Sequence, residues 1–138
     1  MSQANWGWSE RLRLNYQAMD ETHEEFVKLC AALAEPDLTS FVRRLDALIS
    51  HSIDHFEQEN NWMRLYDFPP AQCHLQEHEA VLEIMREVRR RFTLGETDLA
   101  KTLAEELPHW FENHVDTMDN MLARFMLGIA AQAETPAP

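Results

Sequence analysis

Cysteine, glycine and β-branched residues are scarce: the 138-residue chain has 2 Cys and 3 Gly. Two cysteines, Cys30 and Cys73, are too few for a disulfide framework and suit a reducing compartment. Both read as small buried hydrophobes, although Cys73 adjoins His74. Few Gly, Val and Ile beside abundant Leu, Ala, Met and Glu favour helix throughout. Basic residues are also short, with 12 Lys and Arg against 24 Asp and Glu, a net charge of −12. That balance repels nucleic acid and anionic lipid, so neither is an expected partner. No apolar run approaches the length of a membrane span. Residues 1–8 lack the basic and apolar regions of a secretion signal, so the expected compartment is the cytoplasm.

What is present is helical periodicity. Asp20 is the expected N-cap of a first helix, with Phe26, Leu29, Cys30 and Leu33 on its buried stripe and Pro36 beyond it. A second helix is expected from 37–40 to Leu65, stopped by Phe68-Pro69-Pro70. A third opens at Pro70 and buries Leu75, Val81, Leu82, Met85, Val88 and Phe92. Its end carries Arg86, Arg89, Arg90 and Arg91, read as a solvated terminus where cations are favourable. A fourth runs from Thr97 or Asp98 to about Leu127, with Pro108 predicting a kink inside it. The fold class is therefore all-α: an antiparallel up-down-up-down four-helix bundle with an N-terminal arm. The arm spans residues 1–18, the bundle 19–127, and a flexible C-terminal tail 128–138.

Each predicted helix carries polar donors among apolar neighbours, which is costly unless something compensates them. His74 and His78 share a helix face at four-residue spacing, and so do His55 and Glu59. His23 lies one turn into the first helix. His114 and Asp119 are five apart, about 140° around a regular helix, so sharing one site requires a π-bulge or a far-reaching Asp119. Imidazole suits iron, zinc, copper or nickel, and carboxylates can bridge two ions. Five His and two carboxylates exceed one tetrahedral site. They suffice for two ions that share both carboxylates and a hydroxide, with one ion left an open position. The paired Glu-x-x-His pattern of ferritin-like sites is not met, since only Glu106 to His109 has that spacing.

Four motifs carry a resemblance to the hemerythrin family, in its single-domain bacterial form. They are Met19-Asp20-Glu21-Thr22-His23, His55-Phe56-Glu57-Gln58-Glu59, His74-Leu75-Gln76-Glu77-His78, and the stretch from Trp110 to Asp119. The resemblance spans roughly residues 6–127. It implies two non-haem iron ions, oxo- or hydroxo-bridged, that bind O2 reversibly. By that resemblance His74, His78 and His114 hold one iron, His23 and His55 hold the other, and Glu59 and Asp119 bridge. Phe26, Trp110 and Val115 are then candidates for the wall of an O2 pocket. The implied function is O2 transport, storage or local delivery, without catalysis. The alternatives are a sensor of O2 or nitric oxide, and a di-iron oxidase, peroxidase or nitric oxide reductase, for which Cys30, Tyr16 or His51 would supply protons. Asn60 departs from the family pattern and is expected at the helix surface or beside a ligand. Pro108 is also unusual. His51 and His109 are expected outside the donor set, His51 either solvated or leaning on a ligand.

Overall fold

A computed structural model describes residues 6–134. Its helices are α1 (Gln17–Ala31), α2 (Phe41–Leu65), α3 (Ala71–Thr93), α4 (Asp98–His114) and α5 (Asn120–Glu134). A π-helical turn, Val115–Asp119, joins α4 to α5, so these three segments form one rod. That rod packs on α1 and α3, and α2 packs on α1 and α3. Short connections at 32–40, 66–70 and 94–97 make successive rods antiparallel. The result is the expected four-helix bundle, with no strand among the described residues.

Local chemistry sets most of the boundaries. Asp37 accepts from Thr39 N–H at 3.0 Å and leads a short 3-10 turn into α2. Gly95, at φ 101°, closes α3: its N–H reaches Phe92 O and the Glu96 N–H reaches Arg91 O. A left-handed residue there satisfies carbonyls that the helix leaves open. Pro108 is buried inside α4, and the helix continues on both sides of it.

Three expectations need correction. Asp20 does not cap α1, which begins three residues earlier behind Tyr16. Its carboxylate instead accepts from Leu14 N–H at 2.8 Å, tying the preceding segment to the helix. Asn15, at φ 60°, makes the turn between them, a conformation Asn tolerates better than most residues. The helix expected to end near Leu127 runs on to Glu134, so residues 128–134, placed in the expected tail, are helical. Ala130, Ala131 and Ala133 favour helix, and Ile129 packs on the bundle. Residues 135–138 of that expected tail, and residues 1–5 of the expected arm, lie outside the described residues. Finally, Cys30 is buried as expected but Cys73 is exposed. With α3 advancing about 100° per residue, burying His74 turns its neighbour outward.

The N-terminal segment packs on the bundle through a buried Leu12 and partly buried Trp6, Trp8 and Leu14. Trp6 Nε1–H donates to Glu112 at 3.2 Å, and Arg11 donates to Asp116 at 2.7 Å. The rod containing the π turn is thus held from outside. Inside, apolar side chains form two separate clusters. The larger contains Phe26, Leu45, Phe56, Val81, Met85, Leu107 and Phe111. The smaller contains Met19, Met63, Phe68, Leu122 and Met126.

Candidate metal centre

Between the two clusters lies a layer of polar side chains. Along α1 the order is Met19, His23, Phe26; along α2 it is Phe56, Glu59, Met63. His74 and His78 come from α3, His114 from the end of α4, and Asp119 from the end of the π turn. All seven expected donors meet here, and each is no more than 3 % exposed. The π turn is what allows it. Inserting a residue into the helical ladder brings positions five apart onto one face, and His114 Nε2 lies 3.1 Å from Asp119 Oδ1.

The two carboxylates divide their oxygens. Glu59 Oε1 faces His78 Nε2 at 3.1 Å and His74 Nε2 at 3.4 Å. Its Oε2 faces His55 Nε2 at 2.9 Å and His23 Nε2 at 3.4 Å. Asp119 Oδ1 faces His74 at 3.0 Å and His114 at 3.1 Å, while Oδ2 faces His23 at 3.1 Å. One oxygen of each carboxylate therefore serves a three-histidine end, and the other a two-histidine end. Every imidazole presents Nε2. Two compact donor groups result: Glu59, His74, His78, His114 and Asp119 in one, and His23, His55 and Glu59 in the other, each with its ligand atoms within 4.8 Å of one another.

These donors fit metal ions better than they fit each other. Glu59 Oε1, Asp119 Oδ2, His78 Nε2 and His114 Nε2 are buried and make no well-aligned hydrogen bond, despite neighbours about 3.1 Å away. These nitrogen and oxygen atoms crowd together without pairing squarely. Separations of 2.9–3.4 Å match adjacent corners of a coordination octahedron, roughly 3 Å for bonds of about 2.1 Å.

Without a cation, the layer is a strained balance of charges. Burial alone pushes the Glu59 carboxyl up, but His55, His23 and His74 hold it well below the usual range. Asp119 is raised by burial and by Glu59, yet His114 and His23 outweigh both and lower it. Burial pulls His23 down, and Asp119 with Glu59 more than reverse this, lifting it to about 10. His74 rises to about 9 against its own burial, through the same two carboxylates. His114 is also raised, Asp119 overcoming burial. Burial wins at His78, which is lowered. A cation would take over the neutralising role of these imidazolium charges.

Outside the donor set the two ends differ. His114 Nδ1–H donates to Glu77 at 2.9 Å, and His78 Nδ1–H donates to Asn60 at 2.8 Å. Each bond fixes the tautomer that frees Nε2. Phe56 stacks on His78, with centroids 4.1 Å apart, and Trp110 stacks on His114 at 4.7 Å. At the other end, no protein group accepts from His23 Nδ1 or His55 Nδ1 among the described residues. Phe111 meets His23 edge-on at 5.3 Å, and Phe26 meets His55 at 5.9 Å. Phe26 and Phe111 stack on each other at 4.4 Å.

Of the three candidate pocket residues, Phe26 and Val115 are buried in the larger cluster. Trp110 lies against His114, at the three-histidine end. Phe111, Phe56 and Glu77 are not among the site residues expected from sequence. Phe111 sits three residues before His114 on the same face, which was the available signal. Glu77 had none, being one acidic residue among many. Asn60 lies beside His78, one of the expected donors. His51 stays outside the donor set, its Nε2 3.2 Å from Thr22 O. His109 lies on a surface groove with Leu33 and Pro36.

Comparison with known proteins places this arrangement among relatives. A family model described as the hemerythrin HHE cation binding domain matches residues 14–126. The bacteriohemerythrin of Ralstonia nicotianae is 46% identical over 119 residues, covering 86% of this chain and 87% of that one. The bacteriohemerythrin of Stenotrophomonas maltophilia is 26% identical over 121 residues, covering 84% and 78%. A crystal structure described as wild-type hemerythrin superposes with a TM-score of 0.78 at 20% identity, covering 87% of this chain and 96% of that one. A second crystal structure, described as that of a mutant, gives 0.79 at 21% identity, covering 88% and 96%.

Proposed function

We propose a function from the premise that this chain belongs to the hemerythrin family. It is a non-haem di-iron protein that binds O2 reversibly, as a carrier, store or local supplier. The observation that carries this reading is the division of Glu59 and Asp119 between two histidine groups. His74, His78 and His114 would hold one iron, His23 and His55 the other, with both carboxylates bridging. When bound, the iron pair supplies two electrons that can be lent to a small diatomic molecule and recovered.

The chain's own residues do the rest. Asn60 and Glu77 orient His78 and His114 so that Nε2, not Nδ1, faces inward. Phe26 and Phe111 line one side of the two-histidine end with aromatic surface. Binding is favoured over catalysis by the state of the candidate proton donors. Burial pushes the Cys30 thiol up to about 12, so it holds its proton. Tyr16 packs on Trp62 beside the smaller cluster. His51 Nε2 is engaged with a backbone carbonyl. No helix among the described residues is long and apolar enough to cross a membrane.

The test is iron content with a visible spectrum. Purified chain should hold about two irons, by donor count. Reduced chain should gain a visible band in air and lose it on deoxygenation, over repeated cycles. A colourless, zinc-loaded protein from iron-replete cells would contradict the reading. A band that decays within one cycle would make it an oxidase or peroxidase.

A further inference from the structure

The two ends of the donor layer are built to different strengths. The three-histidine end is braced from outside by Glu77 and Asn60 and covered by the stacked rings of Phe56 and Trp110. Neither histidine of the other end has a protein acceptor for Nδ1 among the described residues, whereas at the braced end only His74 lacks one. A surface hollow also borders that end, although His55 itself stays buried. A surface depression of about 340 Å³ is lined by Thr22, His51, Asp54, Gln58 and His55 itself. Of these five, only His55 belongs to the donor set. The least braced end is thus the one that a surface hollow reaches.

We propose that this hollow is the metal exchange port. The metal ion held by His23 and His55 enters and leaves through it, last in and first out, while the ion held by His74, His78 and His114 is retained. This deepens the two-iron reading and rests on it. The physical basis has three parts. Two imidazoles hold less firmly than three. Hydrogen-bonded outer partners commonly contribute about 10–100-fold in metal affinity, and the braced end alone has them. A departing hydrated cation needs polar surface, which Asp54, Gln58 and Thr22 offer and the aromatic lids do not.

The experiment follows iron release from the full, ferrous-loaded chain to an excess of ferrous chelator without oxygen. Two phases of one ion each are expected, separated by about tenfold or more in rate. Glu77→Gln and Asn60→Leu should speed the slow phase and leave the fast one alone. Gln58→Trp, which fills the hollow from an exposed position, should slow the fast phase only. Two ions that leave in a single phase would overturn the proposal while leaving the two-iron reading intact. So would an effect of Glu77→Gln on the fast phase, or none of Gln58→Trp on either. Saturation at one ion or none overturns both readings.

Discussion

The larger apolar cluster and the donor layer beside it are held together by opposite physics. The cluster is stable in its own right: burying Phe41, Leu45, Leu48 and Phe111 removes apolar surface from water whatever the site contains. The layer buries two carboxylates and five imidazoles, each costly to desolvate. Only mutual charge or a cation compensates them. The bundle therefore needs the cluster to exist, and the layer needs a ligand to be comfortable. This difference explains how a bundle can carry so polar an interior without losing its fold.

Four measurements sharpen or break that contrast. The largest effect belongs to the apolar side. Phe41 starts α2, 18 residues before Glu59, about 27 Å of helix, and packs on Phe92 at 4.6 Å. Phe41→Ala should cost about 3–5 kcal/mol in chemical denaturation. The loss should be equal in metal-free and loaded chain, and an unequal loss would mean the two regions are coupled.

Next comes metal removal. At a free-metal concentration about a hundredfold above Kd, loading stabilises by about 2.7 kcal/mol. Stripping the metal should lower the melting temperature accordingly. A metal-free chain that melts no lower would show that the layer compensates itself.

The third is pH. His23 at about 10 and His74 at about 9 are raised groups. Their stabilisation in the metal-free chain is complete below the unfolded value, about 6.5, and is lost as pH rises through the folded values. Glu59 and Asp119 are lowered and stay ionised throughout this range. Metal-free chain should therefore lose stability from about pH 7 to 10 relative to loaded chain, whose ligating imidazoles are already neutral. Parallel melting curves against pH would contradict the charge balance described here.

The smallest effect lies outside both regions. Arg89 donates to Asp46 across α2 and α3 at 2.5 and 3.0 Å, with both side chains nearly half exposed. Exposed pairs contribute little, so Arg89→Ala should leave both forms' melting unchanged. A clear drop would shift part of the bundle's stability to its surface.

Much of this contrast was legible in the sequence, for a physical reason. Helical periodicity places side chains by arithmetic, so His55 with Glu59 and His74 with His78 could be paired from spacing alone. The five-residue step from His114 to Asp119 stated its own requirement, and the π turn meets it. The far end of α5 was not legible, because Gly128 and an Ala-rich, Pro-containing stretch look alike in a loose tail and in a docked helix. Nor was the bracing by Glu77, which depends on how α3 is rotated against α4, a tertiary quantity that no local pattern encodes. Trp110 could be placed near His114 but not on a given side of it, for the same reason.

In the proposed centre, seven side chains enclose two metal ions, with the carboxylates shared between them. Diffraction data from crystals of the iron-loaded chain, collected on either side of the iron absorption edge, test it most directly. Two iron peaks per chain are expected, one among Nε2 of His74, His78 and His114 and one beside Nε2 of His23 and His55, with Glu59 and Asp119 spanning both. A single peak, or iron bound elsewhere while these side chains pair only with each other, would contradict it.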